Sequence, residues 1–295
     1  MRLKADITLF IISIIWGSAF VAQRVAGQMG SVYLFNGFRY LLAALVVLPF
    51  VGRDTILSLP KTQYKWMGIA GFLLFVASVL QQAGMLYTTA GNAGFITSLY
   101  VVLIPIVLFV FWREKPHWLM VVAFGLAVVG AFLLSTGGRF EVRAGDVLEM
   151  AGALFWALHV IMLGKFASKF ESMSFSVGQL VVCGVLNLGI GVVVEPMITF
   201  NWQIVFAIAY TAFFSLGLCY TLQVWAQRHT PPADAALLLG LESVFAVLSG
   251  WLLLDEKLVA IQITGCAFIF VAVILSQFKE WTSGTIDRNH LVEGR

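Results

Sequence analysis

The chain has 295 residues, of which 60% are hydrophobic and only 11% are charged, and its mean hydropathy is +0.94. A soluble domain carries about 25% charged residues, so this composition excludes a soluble globular protein and indicates an integral membrane protein. The net charge of +3 carries little information about nucleic acid, because the positive residues lie in short loops rather than in one patch, and we expect no nucleic-acid partner.

Ten apolar segments are long enough to cross a bilayer, which requires about 20 mostly apolar residues. Loops with Gly, Pro and charged residues separate them, such as GRDTILSLPKTQYK, REKPH and QRHTPP. We therefore predict an all-α integral membrane protein with ten transmembrane helices. In chain order the segments lie at 6–25, 33–52, 66–87, 92–112, 118–136, 146–165, 174–195, 203–225, 233–254 and 260–279.

The distribution of Lys and Arg over alternate loops predicts the orientation of the chain. Thirteen of the 18 basic residues fall on one side of the predicted bundle, four fall on the other side, and Arg39 lies within a span. We expect the richer side to be cytoplasmic. Because the number of predicted spans is even, both termini are then cytoplasmic.

Two segments of the chain resemble each other. NAGFITSLYVVLIPIVLFVFWREK (92–115) aligns without a gap with DAALLLGLESVFAVLSGWLLLDEK (234–257), and each is the fourth predicted span of a five-span half. Because five is odd, the second half enters the membrane upside down relative to the first. Inverted repeats are common in secondary transporters, with the substrate site near the midplane; the alternative is an old duplication without a mechanistic role. The predicted units are a five-helix repeat at 1–140, an inverted five-helix repeat at 141–280 and a disordered cytoplasmic tail at 281–295.

Motifs along almost the whole chain carry a family resemblance. IIWGSAFVAQRV has a Trp-Gly pair in the first span, NGFRYLLAALVVLP carries Arg39 in the second, and both fourth spans end in Glu-Lys. Together these motifs resemble the drug/metabolite transporter superfamily, specifically its EamA-type ten-helix exporters. Ser243 follows Glu242 where related members often have proline. The resemblance implies export of small metabolites, and the chain looks most like the YddG-type amino-acid exporters, whose cargo includes aromatic amino acids.

Three strongly polar residues lie deep within predicted spans, namely Arg39, His159 and Glu242. Ionisable groups inside a membrane usually face the bundle interior or an aqueous cavity and have a partner. Arg39 and Glu242 could form an ion pair with each other, or Glu242 could contact the ammonium of a substrate or take up a proton. His159 could bind a carboxylate or relay a proton, or it could be a neutral imidazole that is hydrogen-bonded between helices.

Other polar and aromatic side chains recur at helical spacing within the predicted spans. Such faces must look inward because lipid cannot satisfy polar groups, and hydrogen bonding between helices is the alternative role for each of them. The candidate substrate-binding residues are Trp16, Phe20, Arg39, Ser78, Gln82, Thr97, Tyr100, Trp156, His159, Gln179, Tyr220, Gln223 and Glu242.

The sequence favours a transporter over an enzyme, since it has no nucleophile elbow, His-Glu-x-x-His run, P-loop or dinucleotide fingerprint. We expect a secondary transporter of the bacterial inner membrane that exports amino acids, including aromatic and hydrophobic ones, by alternating access. The alternatives are export of other small drugs or metabolites, such as purines or amphipathic compounds, and a non-gated channel. We expect no cofactor and no metal, membrane lipids and small-molecule cargo as partners, and a monomer.

Overall fold

The computed structural model describes residues 1–29, 31–52, 59–136, 144–255, 257 and 259–292, without the side chains of 135, 136, 167 and 277–292. These residues form helices joined by short loops, and none of them is in a β-strand. Two of the helices are broken, and their halves are labelled a and b. The helices are α1 (Arg2–Gln28), α2 (Tyr33–Val47), α3 (Lys61–Gly84), α4a (Ala90–Ser98), α4b (Tyr100–Trp112), α5 (Trp118–Thr136), α6 (Ala144–Phe166), α7 (Ser172–Val194), α8 (Trp202–Ala226), α9a (Pro232–Gly240), α9b (Glu242–Leu253) and α10 (Ala260–Val292).

Eight helices in the described part of the chain are long and apolar enough to cross a membrane. Two shorter apolar helical segments, Trp118–Leu134 and Ala260–Ser276, belong to α5 and α10 and coincide with the other two predicted spans. The all-helical membrane architecture expected from the composition is therefore confirmed. Ten crossings, the inversion of the second half and the cytoplasmic position of both termini remain predictions.

The last helix extends into the predicted tail. We predicted a disordered tail at 281–295, and α10 continues to Val292. The disorder of this tail remains a prediction, and its last three residues lie outside the described range. The segment that follows the apolar part of α10 contains no proline and one glycine, Gly284, so its backbone can extend a helix that is already nucleated.

Both fourth spans are broken at equivalent positions. The helix is interrupted at Leu99, with φ −61° and ψ −14°, and at Leu241, with φ −59° and ψ −15°. These two leucines are aligned with each other in the repeat. Beside each break a serine hydroxyl donates to a backbone carbonyl, Ser98 to Phe95 at 2.7 Å and Ser243 to Gly240 at 2.8 Å. Such bonds also occur within the uninterrupted helices α1 and α3, and α9 is interrupted at Leu241 without the proline that related members often have.

Helices of the two halves pack on one another around the breaks. The main contacts join α2 to α7, α3 to α6 and α7, α5 to α10, α1 to α9b, and α9b to α4a. The crossing of α1 and α9b depends on Gly17, because a Cβ at this position would lie 2.4 Å from Phe245 Cβ and 2.8 Å from Ala246 N. This close approach places the start of α9b beside the middle of α1.

A single carboxylate fixes the beginning of α2. Glu195, at the end of α7, accepts hydrogen bonds from the backbone N–H groups of Val32, Tyr33 and Leu34, each at 2.9 Å. These donors belong to the first turn of a helix and would otherwise have no intrahelical partner. The negative charge also interacts favourably with the positive end of the α2 dipole.

We expect Glu195→Ala to lower the stability of the detergent-solubilised protein by about 1–3 kcal/mol, because several bonds to a charged acceptor are lost. Thermal unfolding measures this as a lower Tm. The control is Glu114→Ala, because the Glu114 ion pair with Lys165 is exposed and such pairs contribute about 0–1 kcal/mol. An equal decrease of Tm in both variants would contradict a structural role for Glu195.

Candidate functional site

A central cavity lies between the halves, at the level of the two helix breaks. Its volume is about 40 Å³, well below the roughly 300–1,000 Å³ of small-molecule sites, so the cavity must widen to hold a whole cargo molecule. Ten of the thirteen candidate residues line it: Trp16, Phe20, Arg39, Thr97, Tyr100, Trp156, His159, Tyr220, Gln223 and Glu242.

The other three candidates lie behind the cavity and form hydrogen bonds within the bundle. Gln179 Oε1 is 2.9 Å from His159 Nε2, so this glutamine orients the imidazole. Gln82 Nε2 donates to the Gln23 carbonyl at 3.0 Å. Ser78 Oγ donates to the Phe75 carbonyl at 3.1 Å. These side chains do not line the cavity, and hydrogen bonding, the alternative role stated for each, is what the structure shows.

Six lining residues were not among the candidates: Gln23, Tyr40, Gln81, Val160, Ser215 and Leu216. Helical spacing could have identified Gln23, which is one turn beyond Phe20. Gln81 is adjacent to Gln82, which the sequence analysis names as a candidate in its place. Ser215 lies in a π-helical stretch, Thr211–Leu218 within α8, which shifts the side-chain register away from the α-helical period.

The acidic side of the cavity is built at the two breaks. Glu242 is the first residue of α9b, and Tyr100 is the first residue of α4b. The Tyr100 side chain is close enough to Glu242 to interact with it electrostatically. The two side chains lie within hydrogen-bonding reach of each other, although neither Tyr100 Oη nor Glu242 Oε1 has a partner of regular geometry among the described residues.

The basic side of the cavity is formed by Arg39. Its Nε donates to Asn36 Oδ1 at 3.0 Å, and its guanidinium carbon lies 4.9 Å from the ring centre of Phe35 and 5.3 Å from that of Tyr40. No ion pair joins Arg39 to Glu242 in the described part of the chain. The hypothesis that these residues form a structural ion pair is therefore wrong, because aromatic faces and an amide surround the guanidinium instead.

Aromatic rings form the wall between the acidic and basic sides. The Tyr220 ring is 5.4 Å from the Trp16 ring and 5.7 Å from the His159 imidazole, which it meets edge-on. Trp16 Nε1 donates to the Ser215 carbonyl at 2.8 Å. This bond joins the indole to the π-helical part of α8, and both residues line the cavity.

The lining contains an unusual number of polar atoms without partners. Burying such an atom unpaired costs about 1–3 kcal/mol, and a native interior usually has few of them. Their concentration in one cavity means that water or a polar ligand can satisfy them there. Among the described residues the unpartnered lining atoms are Gln23 Oε1, Tyr40 Oη, Tyr100 Oη, Trp156 Nε1, His159 Nδ1, Gln223 Nε2, Gln223 Oε1 and Glu242 Oε1.

Comparison with known proteins identifies the family. The model of the EamA-like transporter family matches residues 3–136 and again residues 143–278. The chain belongs to the EamA-like transporter family. Its membership and its apolar helices make it a multi-pass membrane transporter rather than an enzyme.

Named relatives of this EamA-like transporter are also transporters. An uncharacterized transporter of Archaeoglobus fulgidus is 34% identical over 94% of this chain and 87% of that protein. A probable amino-acid metabolite efflux pump of Escherichia coli strain K12 is 23% identical over 94% of this chain and 96% of that protein. A solved crystal structure with 18% identity covers 94% of this chain and 97% of its own, with a TM-score of 0.74, which shows the shared fold.

We expect Gln223→Leu to raise the Tm of the ligand-free EamA-like transporter, because it removes two buried amide atoms without partners and thereby a cost of about 1–3 kcal/mol. Gln82→Leu is the matched control. Gln82 is equally buried, but it forms a hydrogen bond, so its replacement should lower the Tm. A decrease of similar size in both variants would contradict the view that Gln223 is kept for ligand binding.

Proposed function

We propose that this EamA-like transporter exports small zwitterionic metabolites, above all amino acids with aromatic or hydrophobic side chains, across the bacterial inner membrane. The observation that carries the proposal is the arrangement of charge in the cavity. Arg39 and Glu242 both line it and are not paired with each other. A zwitterion offers one charge of opposite sign to each of them.

The two charged groups suit the two ends of an α-amino acid. A guanidinium binds a carboxylate through parallel N–H donors, and such charge-assisted bonds are stronger than neutral ones. A carboxylate at Glu242 accepts an ammonium group, with the Tyr100 hydroxyl beside it. Trp16, Trp156 and Tyr220 add aromatic surface to the cavity, which favours an apolar or aromatic cargo side chain.

The composition of the lining argues against strongly anionic cargo. Arg39 is accompanied by no lysine and no second arginine among the residues that line the cavity. A carrier of phosphate esters would require several cations near the ligand. The efflux pump of Escherichia coli, whose printed name specifies amino-acid metabolites, supports the same cargo class by analogy.

Alternating access is the proposed mechanism, and the repeat supports it. Trp16 and Trp156, and likewise Phe20 and Val160, are related by an offset of 140 residues. Gln81 and Gln223, and Tyr100 and Glu242, are related by an offset of 142. All eight residues line the cavity, so each half contributes equivalent positions. Halves of opposite orientation around one site can open it to either side with similar packing.

Polar contacts close the predicted cytoplasmic end of the bundle. Arg2 of α1 donates to Asp234 of α9a at 2.7 Å, and Thr230 Oγ1 donates to Asp6 Oδ1 at 2.8 Å. These bonds join the first helix of one half to the fourth helix of the other. In the proposed mechanism they break when the cavity opens to the cytoplasm.

The purified protein in proteoliposomes tests the cargo class. We expect saturable uptake of labelled phenylalanine that unlabelled phenylalanine inhibits. Competition by phenylalanine amide, which has no carboxylate, and by 3-phenylpropionate, which has no ammonium, separates the two ends of the site. Absence of uptake for phenylalanine, tryptophan, methionine and threonine would overturn the amino-acid proposal and direct attention to purines and amphipathic compounds.

Two variants test the charge assignment. We expect Arg39→Gln and Glu242→Gln each to weaken phenylalanine binding roughly 10- to 100-fold, the equivalent of about 1.5–3 kcal/mol for a bond to a charged group. Arg39→Gln should leave competition by phenylalanine amide nearly unchanged, and Glu242→Gln should leave that by 3-phenylpropionate nearly unchanged. Equal losses for all three compounds in both variants would contradict the assignment, and Glu114→Gln controls for a general effect of substitution.

A further inference from the structure

A polar cluster lies at the end of the bundle that we predict to face outward. Thr88 Oγ1 donates to Asp146 Oδ1 at 3.4 Å, and Asn92 Nδ2 donates to the same carboxylate oxygen at 2.7 Å and to Thr88 Oγ1 at 2.7 Å. Thr88 precedes α4a, Asn92 lies in its first turn, and Asp146 lies in the first turn of α6. The cluster therefore joins the fourth helix of the first half to the first helix of the second half.

The contacts at the opposite end of the bundle occupy equivalent positions in the repeat. Asp6 and Asp146 are related by the offset of 140 residues, and Thr88 and Thr230 by the offset of 142. Thr230 Oγ1 donates to Asp6 Oδ1 at 2.8 Å, just as Thr88 donates to Asp146. The same threonine–aspartate bond thus occurs at both ends, each time between the fourth helix of one half and the first helix of the other.

The two clusters differ at one pair of equivalent positions. Asn92 corresponds to Asp234 at the offset of 142. The amide of Asn92 donates to Asp146, whereas an ionised carboxylate has no proton to donate, and two neighbouring carboxylates repel each other. Arg2 compensates, because its Nη2 donates to Asp234 Oδ2 at 2.7 Å and its Nε lies 3.5 Å from Asp6 Oδ2. A cation thus does at this end what a neutral amide does at the other.

A short half-helix connects each cluster to the central cavity. α4a ends at the break at Leu99, and α9a ends at the break at Leu241. Each half-helix has nine residues, which correspond to about 13 Å of helix. α4a packs on α6, and α9a packs on α1. One end of each half-helix therefore carries the polar contact, and the other end lies at the break beside the cavity.

Both ends of the bundle are closed in this structure. The polar contacts are present at both ends, and the cavity between them has a volume of only about 40 Å³. Close packing adds to the closure. A Cβ at Gly145 would lie 2.7 Å from the Gly84 carbonyl oxygen at the outer end, and a Cβ at Gly164 would lie 2.4 Å from Pro232 Cγ at the other end. Cargo can pass either end only after helices separate there.

We propose that the two clusters are the gates of this transporter and that Arg2 is the counterpart, in the inner gate, of Asn92 in the outer gate. This inference rests on the alternating access of the proposed function. The outer gate opens when α4a separates from α6, and the inner gate opens when α9a separates from α1. Because the gates have no residue in common, one can open while the other stays closed. The outer gate consists of Thr88, Asn92 and Asp146, and the inner gate of Arg2, Asp6, Thr230 and Asp234.

Access to a cysteine in the cavity measures whether each gate is closed. Ser215 lines the cavity, and Ser215→Cys introduces a thiol of similar size there. A membrane-impermeant thiol reagent is added to spheroplasts, which expose the outer end, or to inverted membrane vesicles, which expose the cytoplasmic end. The same gate variants without Ser215→Cys measure the background labelling of the three native cysteines.

Arg2→Gln tests the inner gate in the Ser215→Cys protein. It removes the cation that Asp6 and Asp234 share, so we expect labelling from the cytoplasmic side to become about 10- to 100-fold faster, as for the loss of a bond between charged groups. Labelling from outside should not increase. Lys4→Gln is the matched control, because it removes an exposed cation from the same turn of α1 and should leave labelling unchanged.

A rescue variant tests the equivalence of the two gates. Asp234→Asn, added to Arg2→Gln, should restore slow labelling from the cytoplasmic side, because an amide at this position can donate to Asp6 as Asn92 donates to Asp146. Asn92→Leu removes the amide from the outer gate. It should accelerate labelling from outside and leave labelling from the cytoplasmic side unchanged.

The outcomes separate the gates from the cargo class, because labelling requires no cargo. Unchanged labelling in Arg2→Gln or in Asn92→Leu overturns the gate that the substitution alters. Equal acceleration from both sides shows a general loosening of the bundle and overturns the gate as well. If the double variant is labelled as fast as Arg2→Gln, Arg2 is not the counterpart of Asn92. If the gates respond as expected but no amino acid is transported, the gates are supported and the proposed cargo alone fails.

Discussion

A helix that crosses lipid can be interrupted only where its freed backbone groups are enclosed by protein or face a polar cavity. At Leu99 and Leu241 the backbone keeps short-range hydrogen bonds, from Leu99 N–H to the Ile96 carbonyl and from Leu241 N–H to the Leu238 carbonyl, and the residue after each leucine lines the central cavity. Each break begins a new half-helix, and its first residue, Tyr100 or Glu242, is directed into the site. The repeat of the break, rather than the few identities in sequence, is therefore what places one polar group from each half at the same depth.

The packing of the helices also determines how far apart the two charged groups of the cavity lie. A buried ion pair between Arg39 and Glu242 could have been replaced by apolar residues with little loss of stability. The structure keeps the two charges apart instead, with Asn36 and aromatic faces around the guanidinium. In the proposed function, a zwitterionic cargo supplies the opposite charge to each of these groups. The separated charges would then lower the stability of the empty protein and contribute to the affinity for the cargo.

Much of the architecture follows from composition and periodicity, since long apolar segments separated by charged loops have few alternatives to a helical bundle. The cavity was predictable to the extent that helical period applies. Trp16 and Phe20, or Trp156 and His159, share faces and do line it. The period fails at Ser215, where a π-helical stretch changes the register, and it cannot choose between adjacent residues such as Gln81 and Gln82.

The sequence alone does not give the distances between residues that are far apart along the chain. Opposite charges suggested that Arg39 and Glu242 were partners, but charge alone contains no information on separation. Glu149 was not among the candidates, and the sequence does not show that it is buried to 1% exposure. Its burial results from Gly84 on α3, which has no side chain and lets the carboxyl group approach the backbone. That contact exists only in the packed bundle.

The two halves share one framework but differ in the side chains at equivalent positions. Equivalent positions line the cavity from both halves, yet Tyr100 corresponds to Glu242, and Ala19 to His159. A symmetric pair of carboxylates at the breaks would repel each other. With Tyr100 opposite Glu242, this level of the cavity has one acid, and in the proposed function that acid binds the cargo ammonium while Arg39 binds the cargo carboxylate. Asymmetry in the side chains would thus allow a repeated framework to bind an asymmetric molecule.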